Sequence, residues 1–171
     1  MKPSVAVLVG LSLTACATPE PRSEAQLGAE LSVDSRSIVS QYECRHAIAA
    51  KGAKAATWED SVCIRMKDRM VFGRYDRGSK RHVQSAVVPF STIQTAKQFP
   101  KSPRDIQLET DSGVHTFFAR KSGLMFVNDD AKTDSEYAAL SSAGLRTAQA
   151  TYAIRNNSQS STFVPIFIPS R

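Results

Sequence analysis

Long apolar runs are what the chain lacks first. No stretch of its 171 residues reaches the ~20 consecutive apolar positions that a bilayer-spanning helix needs. Only eight glycines and eight prolines are present, which excludes a collagen-like or Gly/Pro-rich low-complexity chain. There is no Gly-x-Ser-x-Gly elbow, no Ser-x-x-Lys pair and no phosphate-binding glycine loop. His46, His82 and His115 are far apart and show no ligand spacing, so no residue set for a metal or other cofactor is visible. What is present suits folding: 42% of residues are hydrophobic and 22% charged. The length allows one domain, because two cores would each be short of apolar surface.

The first 16 residues have a separate logic. Lys2 opens the chain, an apolar stretch covers residues 5–13, and Leu13-Thr14-Ala15-Cys16 follows. A basic start, a short apolar core and small residues at a cleavage point are the parts of a secretory signal. Thr18-Pro19-Glu20-Pro21 would stop any helix directly afterwards. The four residues Leu13, Thr14, Ala15 and Cys16 resemble the lipobox of bacterial lipoproteins. That resemblance implies a signal peptide over 1–15 and acyl chains on Cys16 as the first mature residue. Several chains on one residue anchor stably where a single chain does not. Ala17 rather than Asp after the cysteine implies the outer membrane, facing the periplasm. Export also makes nucleic acid a poor partner.

Residues 16–36 are rich in Glu, Pro, Ser and Arg, and read as a lipidated, flexible tether with one short helix over 23–31. As a coil, ~20 residues would reach about 25 Å. Residues 37–155 form the domain. Period-2 alternation predicts strands over 40–48 (with a helix as the competing reading), 62–66, 70–75, 82–88, 92–98, 106–110, 114–119 and 124–127. Lys67-Asp68-Arg69, Asp76-Arg77-Gly78-Ser79 and Asp111-Ser112-Gly113 read as turns. The last matches the short aspartic-protease signature, but a hairpin between two alternating strands accounts for it. Thr133 to Glu136 fits a capping box, followed by an apolar stripe of Tyr137, Leu140, Gly144, Leu145 and Ala148. Residues 156–171 form a polar, then apolar, tail whose Pro165 and Pro169 forbid an interior strand.

The expected fold is therefore mainly β (α+β): a single antiparallel sheet or small barrel closed by one C-terminal amphipathic helix. Over residues 60–150, Met66-Lys67-Asp68-Arg69-Met70-Val71-Phe72, Val87-Val88-Pro89-Phe90-Ser91-Thr92-Ile93 and the hairpin from Ile106 to Phe117 resemble pleckstrin-homology-like or GRAM-like domains. Such a scaffold serves many roles and implies no activity.

Cys44 and Cys63 are the thiols that remain after lipidation. In an oxidising compartment they are expected to pair, two unpaired thiols being the alternative. Strict alternation puts Cys44 on a face with Tyr42, but Cys63 on one with Arg65 and Lys67. A bulge or a boundary at Ser61 would reconcile them.

Charge is concentrated. Residues 65–81 hold seven basic residues, Arg65, Lys67, Arg69, Arg74, Arg77, Lys80 and Arg81, against Asp68 and Asp76. The rest of the mature chain has equal numbers of acids and bases. Arg65, Lys67, Arg69, Arg74, Lys80 and Arg81 would give one exposed face for anionic lipid, lipopolysaccharide or an acidic envelope protein. The competing reading is a solvated edge that resists aggregation. The functional expectation is a lipid-anchored, non-catalytic envelope module. The alternative is an envelope hydrolase whose site gathers residues distant in sequence.

Overall fold

The computed structural model describes residues 22–122 and 127–157. The signal peptide, the lipobox and Cys16 lie outside these residues, as do residues 124–126 of the expected last strand and almost all of the 156–171 tail.

A short helix, α1 (Glu24–Glu30), comes first, capped by Ser23 in a capping box with Gln26. Five strands follow: β1 (Ile38–Ala49), β2 (Ala55–Ala56), β3 (Glu59–Met66), β4 (Arg69–Asp76) and β5 (Arg81–Pro89). Then come β6 (Thr95–Gln98), β7 (Ile106–Thr110), β8 (Gly113–Ala119), α2 (Asp130–Ser142), β9 (Thr147–Gln149) and β10 (Arg155–Asn156). The fold is mainly β. Eight strands make one sheet in the order β5-β4-β3-β1-β8-β7-β6-β9, and β10 pairs with β2. All neighbours in the large sheet are antiparallel except β6 and β9. β5 and β9 are its two edges, so the sheet is open and the barrel alternative is not realised.

The long strand β1 joins two meanders. It pairs with β3 along most of its length and with β8 over its second half. The turns at Lys67–Asp68 and Asp111–Ser112 stand where the sequence places them. At the second, a Cβ on Gly113 would come within 2.7 Å of the Ala49 carbonyl oxygen, and φ there is +149°. Only glycine lets β8 approach β1 so closely.

Both faces of the centre of the sheet are covered. On one face Cys44, Cys63, Met70, Phe72, Phe117 and Leu140 pack together below α2. On the other, Val62, Ile64, Met66 and Val71 pack against Leu27 and Leu31. The expected flexible tether is thus corrected from Arg22 onward. The helix forms where the sequence suggests, but Leu27 and Leu31 are both buried in the domain. Burying each stabilises the docking by about 1.5–3 kcal/mol.

This cover resolves the facing problem of the cysteines. Tyr42 lies opposite Cys63 and Cys44 opposite Ser61, so both thiols are on the α2 face, one step apart diagonally. They form a disulfide with Cα atoms 5.8 Å apart. No bulge between them is needed, because Arg65 shares that inward face and the Val62–Ile64–Met66 face is buried by α1.

The second helix departs from expectation. Asp129, not Thr133, is its N-cap, accepting from the Lys132 amide. Thr133 sits one turn inside, where its hydroxyl donates to the Asp129 carbonyl and accepts from the Ala119 amide. The helix ends at Ser142, so Gly144, Leu145 and Ala148 are not on it. Its buried face is Thr133, Glu136 and Leu140, more polar than the expected apolar stripe.

Candidate functional site

The structure divides the basic residues that the sequence groups together. Arg65 points inward: its Nε donates to Glu136 Oε2 at 2.9 Å. Lys67 and Arg69 are at the β3–β4 turn, Arg69 beside Asp68 at 3.3 Å. Arg74, Arg77, Lys80 and Arg81 are at the opposite, β4–β5 end. Seven residue steps along β4 separate the two turns by about 23 Å. The single continuous basic face is therefore corrected to two separate ends and one inward-facing, part-buried arginine. The alternation misassigns Arg65 because α1 buries the face that a one-sided sheet would expose.

Arg65 belongs to a polar knot between the sheet and α2. Glu136, 2% exposed, accepts from Ser40 at 2.6 Å, Lys132 at 2.9 Å and Arg65. Burial pushes its carboxyl up, but these three donors outweigh burial and hold it below the ordinary value. Lys132 Nζ is also 3.0 Å from Ser40 Oγ, a spacing that suits a nucleophile and base. Lys132 Nζ also donates to Glu136 Oε1 and rests 5.0 Å over the Tyr42 ring. This cluster ties α2 to the sheet.

At the β4–β5 end, Arg74 is 3.8 Å from Glu59. The Asp76 carboxylate accepts from the Gly78 and Ser79 amides and the Ser79 hydroxyl, which closes the turn and lowers its pKa. Arg77, Lys80 and Arg81 are exposed and form no ion pair with the described residues. The N-terminal segment is fastened to this same end. Arg22 Nη2 donates to the Lys80 carbonyl at 3.1 Å, and its Nε is 3.5 Å from Glu30. Glu30 Oε2 accepts from the His82 amide at 2.8 Å and lies 3.0 Å from its ring Nδ1. Burial pushes the Glu30 carboxyl up, but the His82 hydrogen bonds and the charges of His82 and Arg22 hold it below the ordinary range.

Two of the three separated histidines meet across β1 and β8. His46 Nε2 and His115 Nδ1 are 3.3 Å apart, and His46 stacks on Phe72. One neutral ring donates and the other accepts. Burial, then the neighbouring His115, lowers the His46 pKa to about 3. The long-range pairing that joins them carries no local signal. Among the described residues no three metal-type ligands gather.

A cavity of about 280 Å³ is lined by Arg45, Trp58, Asp105, Phe118 and Ile154 among others. Asp105 is buried; its Oδ2 accepts from Gln107 at 2.9 Å and Thr116 at 3.1 Å. Burial raises its pKa against these bonds and the Ile154 amide. Among the described residues that line this cavity there is no serine, cysteine, histidine or second carboxylate beside Asp105.

No described helix is long and apolar enough to cross a membrane. No protein-family model matches the chain, and a search of curated proteins finds no match either.

Proposed function

We propose that the chain is a bacterial cell-envelope lipoprotein: exported, cleaved before Cys16 and held by acyl chains on that residue in the outer membrane, facing the periplasm. The observation that carries this reading is the sequence Leu13-Thr14-Ala15-Cys16 at the end of a short apolar run with a basic start. The disulfide between buried Cys44 and Cys63 supports it, since such bonds persist in oxidising compartments. The folded part is a non-catalytic binding or structural module. Its accessible excess charge suits an anionic lipid, lipopolysaccharide or acidic-protein surface, whereas the Asp105 cavity has no nucleophile or second acid among the described residues that line it. Two meanders joined through β1 and β8 and followed by a helix are in keeping with the pleckstrin-homology-like reading, which is a scaffold and adds no activity.

Metabolic labelling with a fatty-acid probe tests the anchor. The wild-type chain should take up the probe and fractionate with membranes, and Cys16→Ala should do neither. A Cys16→Ala chain that still labels would contradict the reading.

A further inference from the structure

The contacts of α1 determine which end of the domain lies near the anchor. Arg22 is bound to the Lys80 carbonyl and to Glu30, and Glu30 is bound to His82 at the start of β5. Leu27 and Leu31 keep the helix in place from below. The chain therefore enters the domain at the β4–β5 end. Arg22 is six residues after Cys16, and six extended residues span at most about 20 Å. The opposite turn, with Lys67 and Arg69, is about 23 Å further along β4.

The near end also has three exposed cations without ion pairs among the described residues, against Lys67 alone at the opposite turn. Arg77, Lys80 and Arg81 project there without ion pairs among the described residues, while Asp76 is occupied by the turn it closes. Lys80 has φ +53°, a conformation that glycine or asparagine adopts more readily than lysine. A lysine held in a costly backbone conformation at an exposed tip gives up local stability for a side chain that packs nothing.

We propose that the β4–β5 end is the bilayer-facing surface, with Arg77, Lys80 and Arg81 against the headgroup phosphates of anionic phospholipid. The anchor supplies proximity and the three cations set orientation. This rests on the reading of Cys16 as lipidated. Lys67 and Arg69 then face away from the membrane and serve solubility.

Fluorophores on two introduced cysteines test it, in the full acylated chain reconstituted into phosphatidylcholine vesicles containing phosphatidylglycerol. Gly78→Cys marks the near turn, where an added Cβ meets only Asp76 oxygens at 3.7 and 3.8 Å. Lys67→Cys marks the far turn. A headgroup-nitroxide lipid should quench the label at 78 at least about twofold more than that at 67, given about 23 Å between the turns. Arg77→Glu/Lys80→Glu/Arg81→Glu should remove the difference, the matching glutamine set should reduce it, and Arg69→Glu at the far turn should leave it unchanged. High salt should reduce it in the wild type. Equal quenching at both turns, or a difference that survives the triple reversal, overturns the proposal. An intact mass without acyl groups on Cys16 overturns the anchoring reading itself, so the two failures are distinguishable.

Discussion

Glu136 holds three donors from three elements: Ser40 of β1, Arg65 of β3 and Lys132 of its own helix. Removing it leaves Arg65, 16% exposed, beside Lys132 without a counter-charge. Glu136→Ala should cost about 3–5 kcal/mol in urea unfolding. A cost under about 1 kcal/mol would show that water replaces the carboxylate easily. Because its folded pKa is lowered, Glu136 contributes stability above the unfolded value of 4.5, and that contribution is lost as pH falls through the folded pKa. His46 acts earlier on the same acid limb. Its pKa drops from 6.5 to about 3 on folding, so only the unfolded chain takes the proton across that window. Stability should fall by about 1.4 kcal/mol per pH unit below 6.5 and level off near 3. His46→Phe should flatten the loss between neutral pH and pH 5, read as the shift in urea midpoint. An unchanged slope would assign the acid sensitivity elsewhere.

At the scale of elements, α1 is the addition that reorganises the rest. Leu31 is 1% exposed and its methyls approach where a Gly73 Cβ would stand, 2.8 and 2.9 Å away. Leu31→Ala should cost about 2–5 kcal/mol and raise amide exchange in Glu24–Glu30 before the sheet. Exchange rising equally throughout would mean that α1 and the sheet open together. The disulfide joins β1 and β3 across a separation of 19 residues. Replacing both Cys44 and Cys63 with alanine should lower stability by about 3 kcal/mol, checked by the urea midpoint.

The elements readable in advance were those with local causes. Lys67–Asp68 and Asp111–Ser112 are short polar turns between alternating runs, and Ser23 with Gln26 is a local cap. Thr133 and Glu136 misled because capping residues and tertiary hydrogen-bonding residues are the same types: both are inside α2, bonded to β8 and to the sheet. Arg65 misled because alternation gives one buried face, whereas β3 has two. The His46–His115 contact needed the β1–β8 pairing, which no neighbouring residues encode.

At the scale of the whole molecule, charge, fold and attachment point share one axis along β4. α1 brings the chain to the β4–β5 end, where Arg77, Lys80 and Arg81 are exposed without ion pairs among the described residues. Under the proposed anchoring, such a domain would stand on its membrane rather than float at the end of a free tether, because packing from Arg22 onward shortens the coil that a polar leader would supply. All of this depends on what Cys16 carries. The most direct measurement is mass spectrometry of the N-terminal peptide from the chain extracted from bacterial membranes. The account predicts a peptide beginning at Cys16 with a diacylglycerol on its sulfur. An unmodified Cys16 following an uncleaved Leu13-Thr14-Ala15 would contradict it.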